Sequence, residues 1–430
     1  MSGDLGSLGA DARPDQVVCH VDMDCFYAAC ERLREPALAG QPLVVGMGYE
    51  SAETHGAVAT ASYEAREFGV ESAMAISEAL ERLPRKVEAA RDPGLDVEEA
   101  GFYRPVDLDY YDEVGAEVKA ILRDAADVVR EVSIDEAYLD VTDRVAWEEV
   151  EAFARDLKER IGEEVGVVAS VGVAPTMSAA KIASDYDKPD GLVVVEPGDV
   201  REFLAPLDVA EIHNVGPVTA RRLRDMGVET AGDLAAADPE RVRDEFGERG
   251  LAVRRYARGE DPREVTPVGE PKSLSRESAF TEATEDTERK REKVRALAAD
   301  VADRAQREGA LYRTIGIKVV TPPYDVNTRA ESLPGPVDDP DLLESTALAL
   351  LEEFADDRVR KLGVRVSKLD FAESDQASLA GFEGQSSGAA GDATTDGESA
   401  VASADDGSDG SDGRDASDSP DGQRSLREYE

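Results

Sequence analysis

Two carboxylates stand side by side in an otherwise strand-like run, Val129-Arg130-Glu131-Val132-Ser133-Ile134-Asp135-Glu136-Ala137-Tyr138-Leu139-Asp140-Val141. Neighbours on a strand point to opposite faces, so Asp135 and Glu136 cannot share one solvated face if the run is extended throughout. An unpaired buried carboxylate is costly, and a cation is its natural partner. The competing reading is a β-hairpin with Asp-Glu at its tip and Val-Ser-Ile and Ala-Tyr-Leu as its arms. Far upstream, Asp22-Met23-Asp24-Cys25-Phe26-Tyr27 follows the short apolar run Val17–Val21. An acid at a strand end is either a ligand or the cap of the next helix. Tyr63 and Arg66 are three apart and share a face if helical. A hydroxyl beside a guanidinium suits a phosphate; the alternative is an arginine packed over a tyrosine ring. Lys188, in Lys188-Pro189-Asp190-Gly191, reads by itself as a solvated lysine at a loop edge.

The elements that must position these residues come from a chain of 430 residues, enough for two to four domains. Hydrophobic residues make up 41% and aromatics 5%, so its cores are built mostly of Val, Leu and Ala. Asp and Glu number 93 against 49 Lys and Arg, for a net charge of −44 that runs through every segment, predicted helices included. Acid spread in this way fits a cytosol very rich in salt, where charge keeps the surface solvated and screening shortens its reach. The alternative is an acidic protein that avoids nucleic acid. Cys19, Cys25 and Cys30 lack paired-motif spacing and read as reduced core residues. No stretch approaches the apolar length of a membrane span, and no basic-then-apolar signal opens the chain. A soluble, cytoplasmic protein without a membrane partner is expected.

Strands are expected at 17–21, 42–46, 56–61, 167–173 and 193–195, and amphipathic helices at 111–123 and 147–161. Residues 62–70 and 179–186 also read as helical, and 88–101 as an acidic surface loop. Alternating strands and helices argue for an α/β or α+β layer. From about 197 the chain turns to short helices. Ile212-His213-Asn214-Val215-Gly216-Pro217-Val218-Thr219-Ala220 reads as a tight turn into a helix. Free N–H groups at that N-terminus can hold a phosphate without reading sequence; the alternative is an ordinary helical hairpin. After a Pro/Gly-rich linker, 272–367 reads as β-α-β-β-α-β, with Lys272, Arg276, Arg313, Lys318, Arg358, Arg360, Lys361, Arg365 and Lys368 forming a local basic face. Residues 371–430 are low-complexity Asp/Gly/Ser/Ala and are expected to be disordered.

Taken together, residues 16–370 resemble the Y-family DNA polymerases of the DNA polymerase IV type, and the acidic composition points to a halophilic archaeon as source. The pieces that carry the resemblance are Val21–Ala29, Gly56–Val70, Ser133–Asp140, Gly172-Val173-Ala174-Pro175 and Ala180–Gly191, in this order. The resemblance implies an α+β right-hand polymerase. Its palm would comprise 16–25 and 104–195, its fingers 26–103, its helix-hairpin-helix thumb 196–262 and its βαββαβ little finger 272–370. A leader (1–15), a linker (263–271) and an acidic tail (371–430) complete the chain.

The resemblance also implies roles. Asp22, Asp135 and Glu136, with the Met23 backbone carbonyl, match the ligands of two Mg²⁺ ions that drive nucleotidyl transfer. Tyr63, Arg66 and Lys188, assisted by Thr60, match residues that hold the incoming triphosphate. Tyr27 matches the steric gate that selects dNTP over rNTP. Phe26 and Ala59 fall among the substrate-binding residues, Ala59 forming a small wall over the nascent base pair. Val215, Gly216, Val218, Lys272, Arg276 and Arg365 are assigned to primer-template DNA. Gln423, Leu426 and Tyr429 resemble a sliding-clamp-binding peptide at the tip of a tether, although a second aromatic is missing. A monomer is expected, and no stretch reads as a proofreading exonuclease.

Two rival readings stay in view. A DNA-binding scaffold that lost its chemistry would have no need of all three carboxylates. A metal-dependent nuclease or phosphatase would use similar carboxylates but leaves Tyr27, Tyr63, Arg66 and Lys188 unexplained. The chain departs from the family at Asn214, where glycine is usual, and in the acidic segment 90–101.

Overall fold

The computed structural model describes residues 16–371. The leader, most of the acidic tail and the Gln423–Tyr429 peptide lie outside the described residues. The chain divides into two compact units at Gly269/Glu270.

The first unit is built on a five-stranded sheet of order β5-β6-β1-β7-β8, comprising β1 (Val18–Met23), β5 (Val128–Glu131), β6 (Glu136–Asp140), β7 (Ala169–Ala174) and β8 (Leu192–Val194). β1 is the central strand, antiparallel to both β6 and β7, and all six of its residues are buried. Alternation sorts them. Cys19, Val21 and Met23 join a core with the amphipathic helices Leu108–Ala125 and Val150–Glu164. Val18 belongs to the opposite core, to which the helix Met177–Tyr186 contributes Ala180 and Ala183.

That second helix sits unusually close to the sheet. A Cβ placed on Gly172 would come within 2.2 Å of both the Ala180 carbonyl oxygen and the Ser184 nitrogen. Glycine at 172 is therefore what allows the helix to lie on β7, and the Gly172-Val173-Ala174-Pro175 signature has a packing reason.

A smaller sheet of order β3-β2-β4 pairs β2 (Leu43–Met47) antiparallel with β3 (Ala57–Ala61) and parallel with β4 (Phe102–Pro105). Two of its features were not expected from the sequence: the strand β4 and the helix Ile76–Arg82. Expected helix 62–70 is only one turn, Tyr63–Arg66, capped by Ser62 and followed by turns to Gly69 at φ +76°. Beyond residue 196, short helices surround a core around Leu204, Leu223 and Leu234. Asn214 adopts φ +70°, a left-handed conformation that asparagine tolerates better than most side chains. Gly247, at φ +64° and ψ −154°, breaks the helix Pro239–Ala257. The segment read as a linker is partly packed: Val265 is buried, and Arg130 donates to the Thr266 carbonyl at 3.1 Å.

The second unit is a four-stranded antiparallel sheet of order β11-β10-β12-β9, comprising β9 (Ser273–Thr284), β10 (Ala310–Thr321), β11 (Asp325–Val337) and β12 (Val359–Phe371). The helices Thr287–Arg307 and Pro340–Leu351 complete the expected β-α-β-β-α-β order and share its core with Leu274, Ile317 and Val364.

The Gly172 contact is testable. Gly172→Ala must lift the helix Met177–Tyr186 from β7, so an overpacking loss of about 1–3 kcal/mol is expected in urea unfolding, together with impaired catalysis. Unchanged stability would place the close approach elsewhere.

Candidate active site

β1 and β6 bring the carboxylates together. Asp22 lies directly opposite Glu136 on β6 and Ser170 on β7, and His20 lies opposite Tyr138 and Gly172. Asp135 is not in a strand. It closes the turn Val132–Asp135 between β5 and β6, and Glu136 is the first residue of β6. Both early readings of this stretch therefore hold in part. It is a hairpin, with the Asp-Glu pair at the end of the turn, and strand alternation does not govern Asp135. The turn is tied to β1 by the Met23 amide, which donates to the Asp135 carbonyl at 2.9 Å. Ser133 Oγ donates to the Asp135 carboxylate and accepts the Asp135 and Glu136 amides.

Two lysines answer this negative charge. Lys181 Nζ stands 2.6 Å from Asp22 Oδ2 and 3.0 Å from Glu136 Oε2. Lys188 Nζ stands 2.6 Å from Asp22 Oδ1, and Asp185 reaches both ammonium groups. Burial alone would raise the Asp22 carboxyl, but Lys181 and Lys188 hold it below the usual range. Glu136 is likewise held well below it, against burial, by the Lys181 ammonium. Both lysines are pushed up, burial being outweighed by the Asp22 charge. Asp135 lies outside this neutralised set. Burial, reinforced by repulsion from Asp22 and Glu136, pushes it up to about 6 against the help of Ser133.

The donor set fits divalent cations. Ligand atoms of His20, Asp22 and Glu136 lie within 4.8 Å of one another. Hard carboxylate oxygens are the donors that Mg²⁺ takes, and Asp135 carries the charge that the lysines leave uncompensated. His20 Nδ1 faces Ser184 Oγ at 2.8 Å, and Ser184 Oγ donates to the Lys181 carbonyl, so Nδ1 is the donor. His20 Nε2 then has no hydrogen-bond partner, 3.5 Å from Glu136 Oε2.

Tyr27 lies on the helix Phe26–Arg34, buried, with its ring stacked on Tyr111 at 4.7 Å between centroids. The Tyr111 hydroxyl donates to buried Glu31 at 2.7 Å. Phe26 is 2% exposed, within the same core as Tyr27 and Ala59. Ala59 is buried in β3, at a bulge where the register with β2 shifts, and Thr60 is half-buried beside it, opposite Val45. The Arg66 guanidinium does pack over the Tyr63 ring, at 4.8 Å, and its Nε donates to the Ala61 carbonyl at 3.1 Å. The Tyr63 hydroxyl donates to Asp24 at 3.1 Å, which brings the short helix to the end of β1.

The residues assigned to DNA divide. Val215 is buried and its amide donates to the Ile212 carbonyl at 2.9 Å, so it has nothing to offer a phosphate. Gly216 and Val218 open the helix Pro217–Asp225, where the first-turn amides lack intrahelical acceptors. Arg276 pairs with Val364 in the sheet, on the helix-covered face, and reaches Asp300 at 3.8 Å. That corrects its place on the basic face. Lys272 and Arg365 are exposed. Arg365 shares the open face with Lys318 and Lys361, both of which contact Glu277.

Lys181, His20, Asp24 and Tyr111 were not singled out as site residues. His20 was legible, since it stands two residues before Asp22 on one strand face. Lys181 precedes Lys188 by about two helical turns, but its reach depends on how the helix seats on Gly172.

Removing the Asp135 charge should stabilise the ion-free protein. Its carboxyl titrates near 3.8 when unfolded and about 6 when folded, so its charged form disfavours folding and stability falls as pH rises through that window. In EDTA at pH 8, Asp135→Asn is expected to gain on the order of 1–3 kcal/mol while losing activity with metal. A loss of stability in EDTA would refute this electrostatic picture.

Comparison with known proteins agrees with this architecture. The model of the impB/mucB/samB family matches residues 21–185, that of its C-terminal domain 271–379, and the helix-hairpin-helix motif of the same family 197–228. The chain is 63% identical to DNA polymerase IV of Halobacterium salinarum over 383 residues, covering 89% of this chain and 92% of the relative. It is 40% identical to DNA polymerase IV of Methanoculleus marisnigri, covering 85% and 98%. A Y-family DNA polymerase chimera, Dbh-Dpo4(243-245)-Dbh, superposes with a TM-score of 0.72 at 28% identity, covering 83% of this chain and 99% of the other. The insertion ternary complex of Dbh DNA polymerase has a TM-score of 0.59 at 28% identity, covering the same shares. The chain belongs to the Y-family DNA polymerases of the DNA polymerase IV type, and is a DNA-directed DNA polymerase.

Proposed function

We propose that the protein extends primer 3′ ends with dNTPs opposite damaged template bases, at low fidelity and without proofreading, in a salt-rich cytoplasm. The observation that carries this reading is the meeting of Asp22 and Glu136 across β1 and β6, with Lys188 on Asp22, Asp135 tied through its carbonyl to the Met23 amide, and Tyr63 bonded to Asp24 just beyond. Asp22, Asp135, Glu136 and the Met23 carbonyl would hold two Mg²⁺ ions. When bound, these supply charge for ionising the primer hydroxyl and for the leaving pyrophosphate.

The chain's own groups do the positioning, which provides much of the rate in such transfers. Tyr63, Arg66 and Lys188, with Thr60, form the clamp for the triphosphate. Arg66, already bonded to the Ala61 carbonyl, presents a guanidinium of fixed orientation. Tyr27, backed by Tyr111, closes the space beside the sugar 2′ position, and the small Ala59 leaves room at the base pair. The palm would comprise 16–25 and 104–195, the fingers 26–103, the thumb 196–262 and the little finger 272–370. Within the thumb, Gly216 and Val218 offer backbone amides to the primer-template, and Lys272 and Arg365 add phosphate contacts. The protein acts as a monomer, with a clamp peptide at Gln423, Leu426 and Tyr429.

Asp135→Ala and Glu136→Ala are expected to lower primer extension by at least on the order of 10²–10³, and Tyr27→Ala to relax dNTP over rNTP selection by roughly 10–200-fold. Undiminished incorporation by both carboxylate variants would refute the assignment of the site. Deleting Gln423–Glu430 should keep basal distributive synthesis and abolish stimulation by a sliding clamp. Equal stimulation of both forms would remove the peptide's assignment.

A further inference from the structure

Asp24, the second acid of Asp22-Met23-Asp24, has a different environment from the first. It is 6% exposed, and both its oxygens are engaged. Ser170 Oγ lies 3.0 and 2.9 Å from its Oδ1 and Oδ2. The Tyr63 hydroxyl donates to Oδ1 at 3.1 Å, and the Asp190 amide donates to Oδ2 at 2.7 Å. Ser170 Oγ in turn accepts the Gly191 amide at 3.0 Å. One carboxylate, just after β1, and one hydroxyl on β7 therefore hold two things in place. One is the short helix that carries Tyr63 and Arg66. The other is the backbone just after Lys188.

These donors come from distant parts of the chain and converge on a buried anion, where charge-assisted hydrogen bonds are strong and directional. With its oxygens satisfied by protein donors, Asp24 has no need of a cation. We propose that Asp24 is a positioning residue, a latch that fixes the spacing between Tyr63 and Lys188 and so sets the width of the triphosphate clamp. The proposal rests on the reading of Tyr63, Arg66 and Lys188 as that clamp. The triphosphate is common to all nucleotides, so the latch acts on nucleotide affinity without acting on base choice or sugar choice.

The test is single-nucleotide incorporation by the full chain on a primer-template, with Asp24→Asn, Ser170→Ala, Tyr63→Phe and the pair Asp24→Asn with Tyr63→Phe. Asp24→Asn should raise KM for all four dNTPs by roughly ten- to a hundredfold, and Ser170→Ala should raise it by less. In both, kcat should stay within about twofold, with unchanged dNTP over rNTP selectivity and unchanged primer-template affinity in fluorescence anisotropy. The paired variant should lose less than the product of its single losses, because the two residues share one bond. An unchanged KM, a parallel fall in kcat and DNA affinity, or fully multiplying effects would overturn the latch. Lys188→Ala and Tyr63→Ala that both leave dNTP KM untouched would instead overturn the clamp reading beneath it.

Discussion

Negative charge gathered on one face of a buried strand is the constraint on which the catalytic unit depends. Asp22 and Glu136 face each other across β1 and β6, and like charges this close raise each other's pKa unless cations intervene. Lys181 and Lys188 intervene, and both are delivered by the helix Met177–Tyr186 and the turn after it. The helix reaches the carboxylates because Gly172 lets it lie against β7. A backbone contact thus governs an electrostatic one. Asp135, which forms no salt bridge with either lysine, keeps an unfavourable charge in its buried place.

Much of this was legible because it follows from local rules. The acid at the end of an apolar run, the Asp-Glu pair and the Tyr63/Arg66 spacing are one-dimensional signals. So is the β-α-β-β-α-β order of the second unit. What escaped was set by tertiary seating. Lys181 is an ordinary helical lysine until Gly172 fixes where its helix lies. Arg276 counts as one more basic residue until the register with Val364 turns it to the helix side. Val215 belongs to the tight turn expected there, and its amide is taken up by the Ile212 carbonyl in closing that turn. Asp135 misled the alternation argument because composition does not show where a strand stops and its hairpin turn begins.

The acid spread through the chain bears on how such a protein could hold DNA. On the open face of the second unit, Glu277 stands within 3.1 Å of Lys318 and 2.5 Å of Lys361. Arg365 adds a further cation on that face, and it is bonded to Ser273. A Cβ on Gly363 would meet Glu277 Cγ at 2.7 Å, so the glutamate is pinned between the two ammonium groups. Lysines tied in this way lose side-chain freedom before any phosphate arrives, and part of their charge is already offset. Contacts through free cations weaken steeply with salt because each one releases counterions. An uncharged backbone amide neutralises no phosphate charge and so releases no counterion from the nucleic acid. At high salt, contacts through charged groups count for less, and a glutamate among the lysines then costs little affinity.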